Sequence, residues 1–172
     1  MKTVDALIAA RDFFVNNPDR WVQGALHRVK GSKDCFCALG GLSLVTGCMA
    51  TSGARLGGVA ISTIRGPYGL AGKGIPLSAV RPAESLSQKV LNELISQGIH
   101  LKAASNAVSY LGAVAKNLYG QAGTDTGGGG SIMMVNDSVG YDGVIACFNA
   151  AITNAKRRHI NGDRKKPVQA SA

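Results

Sequence analysis

Charge is scarce in this chain: 17% of its 172 residues are charged, well under the usual quarter. Aromatic rings make up 5%, with a single tryptophan. No apolar run approaches the roughly 18 residues a membrane span needs, so no spanning helix is expected. The first turns carry Asp5, Asp12 and Asp19 and no apolar block with a small-residue cleavage site. A secretory signal is therefore not expected either. Without one, the four cysteines Cys35, Cys37, Cys48 and Cys147 are expected to stay reduced, in a cytoplasm. These shortages exclude a membrane protein, a collagen, a coiled-coil rod and a disulfide miniprotein.

What is present is an apolar fraction of 45%, 23 glycines and a formal net charge of +9. At about 150 residues per domain, one domain is expected, large enough for an ordinary hydrophobic core.

Residues 4–16 read as an amphipathic helix capped by Thr3, with Asp5 in its first turn and Val4, Leu7, Ile8, Phe14 and Val15 on one face. Asn17-Pro18-Asp19 stops it, and Trp21 is expected to pack back on it. Residues 24–34 read as a loop or short hairpin. A second helix is expected from about Phe36 to 49, capped by Ser32 or Asp34. Gly40 and Gly41 inside it suggest close approach by another backbone.

Seven glycines between Gly53 and Gly74 mark residues 50–82 as a loop-rich insertion, with short strand-like pieces such as Val59-Ala60-Ile61. Two further helices are expected at 84–97 and 101–119. The second carries Leu101, Val108, Leu111, Ala115 and Leu118 in a stripe, and close spacing makes the two an antiparallel pair. Gly127 to Gly130 read as a loop, and Ile132 to Val135 as a strand or buried extended segment. The last helix is expected from Tyr141 to about Arg158, capped by Asp137 or Ser138, with order ending at Asn161-Gly162. The expected fold is mainly α: a single domain over 1–160, about five helices around one core, and a basic flexible tail over 161–172.

More than half of the excess charge lies in the last 17 residues, the end of the last helix and the tail together. From residue 156 onward there are six basic residues, Lys156, Arg157, Arg158, Arg164, Lys165 and Lys166, against one acid, Asp163. Such a tail attracts polyanions through phosphate contacts, without reading sequence. No aromatic residue lies near it in sequence, so a base-stacking platform is not expected. An acidic protein partner is the other expectation for this charge.

Catalytic motifs are mostly missing. Gly72-Lys73 is followed by Gly74, and Pro67 stands where a phosphate-binding loop needs its first glycine. Cys37 is the thiol with catalytic potential. A helix starting beside it, with Lys33 nearby, is expected to lower its pKa. Such an enzyme also needs a base from His27, His100 or His159, oriented by Asn136 or Asp137, with Gln23 donating to an oxyanion. Cysteine spacing offers one conceivable zinc set, Cys35, Cys37, Cys48 and His27, although Cys35 and Cys37 are not in the usual C-x-x-C arrangement. The simpler expectation for the cysteines is as small buried hydrophobes, with no metal and no cofactor.

Four fragments taken together resemble a known family. They are Asn17-Pro18-Asp19-Arg20-Trp21-Val22-Gln23-Gly24, Cys37-Ala38-Leu39-Gly40-Gly41-Leu42, Val135-Asn136-Asp137-Ser138, and Val144 to Ile152 of the last helix. The family is a group of small bacterial and phage proteins catalogued as a domain of unknown function. Its pattern is a Trp-x-Gln-Gly element, a Cys-x-x-Gly-Ala-Leu helix and an Asn-Asp pair before a closing helix. The resemblance covers roughly residues 4–48 and 105–155, and Gly41 stands where that family more usually has alanine. It implies a helical fold and a phage or prophage origin, and it directs attention to Trp21, Gln23, Gly24, Cys37, Asn136 and Asp137.

The leading functional expectation is a small non-catalytic binding or regulatory protein in the bacterial cytoplasm, contacting nucleic acid or an acidic host protein. The alternatives are a cysteine enzyme using Cys37 and a virion-associated protein that assembles with copies of itself.

Overall fold

A computed structural model describes residues 1–48, 55–56, 59–60, 88, 92, 95–96, 98–120 and 129–163. Five helices named over these residues are α1 (Thr3–Asn16), α2 (Ala38–Val45), α3 (Leu101–Tyr119), α4 (Gly129–Ser138) and α5 (Tyr141–Asp163). A short 3-10 turn, Pro18–Arg20, follows α1. Strands β1 (His27–Lys30) and β2 (Lys33–Phe36) form an antiparallel hairpin in which His27 pairs with Phe36 and Lys30 with Lys33. A second two-stranded piece joins β3 (Arg55–Leu56) to β4 (Val59–Ala60). The fold is mainly α, as the helical periodicity indicates. The rest of 50–82, most of 84–97 and the tail beyond 163 lie outside the described residues.

Helix α1 buries Ala6, Leu7, Ala10 and Phe14. Its apolar face is narrower than the sequence suggests: Val15 is exposed, and two alanines take the inner positions instead. Thr3 is the first helical residue rather than the cap, and Asp5 instead accepts the Lys2 backbone N–H at 3.1 Å. Asn17 closes the other end by donating from its side chain to the Phe13 carbonyl at 2.8 Å.

The hairpin consumes Phe36, which the sequence reading assigns to the second helix. Its backbone carbonyl accepts the Val22 N–H at 3.0 Å. Helix α2 begins two residues later, with Cys37 at the capping position, and Ser32 and Asp34 sit in the hairpin instead. Six of its eight residues, Ala38 to Ser43, are buried. The two glycines earn their place by close approach. A β-carbon on Gly40 would lie 2.0 Å from the Leu26 carbonyl oxygen, and one on Gly41 would lie 2.4 Å from the Phe14 ring.

Helices α1 and α5 run antiparallel. Phe14 meets Phe148 at 6.2 Å between ring centroids, and the Tyr141 hydroxyl donates to the Phe14 carbonyl at 3.0 Å. Helix α3 buries Val108, Leu111 and Ala115, while Leu118, expected on the same stripe, is exposed.

Several expectations near the C-terminal half fail. Residues Ile132 to Val135 are helical, within α4, and Gly129 and Gly130 open that helix instead of forming a loop. The spacing explains it: Ile132 and Val135 are buried while Met133 and Met134 between them are exposed, a helical period rather than an alternating one. Neither Asp137 nor Ser138 caps α5, since both still belong to α4. The break falls at Gly140, whose φ of 94° suits glycine and lets the chain reverse into α5. Helix α5 then continues past Asn161-Gly162 to Asp163.

The core is built from Leu7 and Phe14 of α1, Leu39 and Leu42 of α2, Val108 and Leu111 of α3, Ile132 and Val135 of α4, and Val144 and Phe148 of α5. All five helices therefore contribute to one hydrophobic cluster. No helix among the described residues is long and apolar enough to cross a membrane.

Candidate functional site

The residues singled out by sequence fall into two regions. The first is a junction where the segment after the 3-10 turn meets the start of α2 and the end of α4. Asn136 sits at its centre, 1% exposed. Its Oδ1 accepts from the Trp21 indole Nε1 at 2.9 Å and from the Ala38 backbone N–H at 3.1 Å. Its Nδ2 donates to the Val22 carbonyl at 3.1 Å and to Asp137 Oδ1 at 2.8 Å. A primary amide offers two donors and two acceptor lone pairs, and this one uses them all.

The neighbours complete the network. Asp137 Oδ1 also accepts the Gly24 backbone N–H at 2.9 Å. Gln23 Nε2 donates toward the carbonyls of Asn136 at 3.3 Å and Asp137 at 3.4 Å. Trp21 turns toward α5 and meets Tyr141 edge to face, with ring centroids 5.9 Å apart. Gln23, Asn136 and Asp137 thus do converge beside Cys37, across more than 100 residues of sequence. Their polar atoms serve to join three chain segments. The Ala38 N–H is one of the unpaired donors at the start of α2, so Asn136 acts as a cap supplied from another helix.

Cys37 lies at this junction but is 5% exposed. Burial pushes its thiol above the ordinary value. Backbone N–H groups of Gly40 and Leu39 pull the other way without prevailing, and the negative charge of Asp137 raises it further. The expected activation by a helix N-terminus is thereby reversed by desolvation. Lys33, the other expected activator, pairs with Asp19 instead. Of the expected bases, His27 Nε2 is 2.7 Å from Asp34 Oδ1 with its ring 5.1 Å from that of Phe36, and His100 Nδ1 lies 3.5 Å from the Met1 amino group; the His159 side chain lies outside the described residues. The side chains of Asn136 and Asp137 hold backbone groups, the Trp21 indole and each other, and no histidine among the described residues. All four cysteines are buried and unbridged. Among the described residues no three His, Cys, Asp or Glu side chains gather into a metal site, so Cys35, Cys37, Cys48 and His27 do not form one.

The second region is the C-terminal part of α5. Lys156, Arg157 and Arg158 are exposed there. The salt bridges among the described residues are Arg11–Asp12, His27–Asp34 and Lys33–Asp19, so none neutralises these three cations. Arg164, Lys165 and Lys166 lie outside the described residues. The sequence gives no aromatic residue near this end, but the fold supplies one. The Arg158 guanidinium lies 5.5 Å from the centroid of the Tyr110 ring, contributed by α3. A signal for this existed in the spacing, since Lys102, Asn106 and Tyr110 recur every four residues and so share one polar face of α3.

Comparison with known proteins finds no matching family model, no matching curated protein and no matching solved structure, so the family resemblance rests on the four fragments alone.

Proposed function

We propose that this chain is a non-catalytic binding protein of phage or prophage type that contacts nucleic acid through the basic C-terminal end of α5. The observation that supports the reading is the exposed run Lys156-Arg157-Arg158, which has no acidic partner among the described residues. Unneutralised cations on one helix end attract a phosphate backbone, and release of its counterions drives the association. The buried Cys37, with its thiol raised, weighs against the cysteine-enzyme reading.

The test is fluorescence anisotropy of the full chain with labelled single-stranded and duplex oligonucleotides, over a series of salt concentrations. Binding at low salt that weakens steeply as salt rises is the expected result. No binding even at low salt overturns the proposal.

A further inference from the structure

The basic end of α5 is one wall of a groove. Its other walls among the described residues are the start of α1, one face of α3 and Ile95. The groove has a volume of about 550 Å3, within the range of about 300–1,000 Å3 common for ligand sites. Lys2, Val4, Lys102, Asn106, Tyr110 and Arg158 are among the residues that line it, and no acidic residue among the described ones does. Lys2, Lys102 and Arg158 are exposed and come from three separate helix ends or faces, so the fold gathers charge that the sequence disperses. Asp5, one turn into α1, directs its carboxylate to the Lys2 backbone N–H instead. Tyr110 is half-buried against the core and so is held in place, with the Arg158 guanidinium over its ring.

We infer that this groove is a binding site for single-stranded nucleic acid, in which Lys2, Lys102 and Arg158 hold phosphates and the Tyr110–Arg158 pair stacks a base. The inference rests on the reading that the α5 end binds nucleic acid, and it names the place and the strand type. A groove with cations around an aromatic ring is the combination that single strands need, because their base faces are free to stack. RNA bases stack on guanidinium planes as well as on rings. A duplex keeps its base faces covered and gains from the charges only. Asn106 adds an amide that hydrogen-bonds a base edge or a sugar hydroxyl. Its Nδ2 makes a long contact, 3.5 Å, to Thr3 Oγ1.

The experiment uses the full chain and a short single-stranded oligonucleotide bearing 5-iodouridine. Irradiation is expected to crosslink it to Tyr110, read by mass spectrometry of the digested complex. In parallel, Tyr110→Leu is expected to weaken single-strand binding by at least about fivefold, with duplex binding changed less than about twofold and Tyr110→Phe close to the parent. Lys102→Ala, at an exposed position that the fold does not need, is expected to weaken both ligands and to lower the salt slope by about 1. If the chain binds oligonucleotides but crosslinks only elsewhere, and both Tyr110→Leu and Lys102→Ala bind as the parent does, the groove is overturned while the basic-end reading stands. If the parent binds no oligonucleotide at low salt, both fall together.

Discussion

The indole N–H of Trp21 donates to Asn136 Oδ1 at 2.9 Å, joining residues 115 positions apart in the chain. The same oxygen caps α2 through Ala38, and the amide nitrogen on the other side holds the Val22 carbonyl. One side chain therefore fixes the entry to α2, the end of α4 and the segment between α1 and the hairpin. Its removal deprives the buried Ala38 N–H and Val22 carbonyl and the partly buried Trp21 indole of that bond, which is costlier than losing an exposed contact.

Asn136→Ala is expected to destabilise the fold by about 2–4 kcal/mol, the scale set by orphaned buried polar groups. Denaturant unfolding followed by the emission of Trp21 measures it. The tryptophan emission of the native variant should also shift, because its indole loses a bonding partner. A change under 0.5 kcal/mol would assign the network to decoration rather than to holding the fold.

The close packing at Gly40 and Gly41 separates two kinds of obstacle. A β-carbon at Gly41 meets a side-chain ring, that of Phe14, whereas one at Gly40 meets the Leu26 backbone carbonyl. That carbonyl also accepts the Cys37 N–H at 3.2 Å and is not free to move. Gly41→Ala is expected to cost about 1–3 kcal/mol, the range for overpacking, and Gly40→Ala more. Combining Gly41→Ala with Phe14→Leu should recover part of the loss in a double-mutant cycle. Equal, additive penalties would contradict the assignment.

Much of this was legible in the sequence, and the misses have physical causes. The helical content, the turn at Asn17-Pro18 and the close approach at Gly40-Gly41 follow from local rules. Helix α4 did not, because glycines lower helix propensity and only tertiary burial of Ile132 and Val135 offsets that. The cap of α2 differs from the expected one because Asn136 caps it from another helix, a long-range arrangement that no local pattern encodes, and that of α5 because α4 runs on through Asp137 and Ser138 to the break at Gly140. Convergence of Gln23, Cys37 and Asn136-Asp137 was visible as a possibility through the family resemblance. That it is a satisfied junction, with a buried thiol, depended on burial and on which atoms face each other. Tyr110 beside Arg158 depended on how α3 packs against α5.

The thiols give a pH prediction. Burial pushes Cys48 and Cys147 up to about 11, from an ordinary value of 9.0. In the unfolded chain they ionise at the lower value, so their neutral burial stabilises the fold fully below pH about 9, and that contribution is lost as pH rises toward about 11. Denaturant midpoints should therefore fall over this window, and fall less in Cys48→Ala. Iodoacetamide at neutral pH should label the native protein slowly at every cysteine, Cys37 included, and rapidly after unfolding. Fast labelling of native Cys37 would contradict its buried, protonated state and restore the enzyme reading.

The central claim is that the cations at the end of α5 contact phosphates. The most direct measurement is the salt dependence of oligonucleotide affinity for the parent and for a full-length variant carrying Lys156→Ala, Arg157→Ala and Arg158→Ala. All three positions are exposed, so the fold should be retained. Three lost phosphate contacts predict weaker binding and a slope of log K against log salt that is shallower by about 2 to 3. An unchanged slope and affinity would contradict the claim.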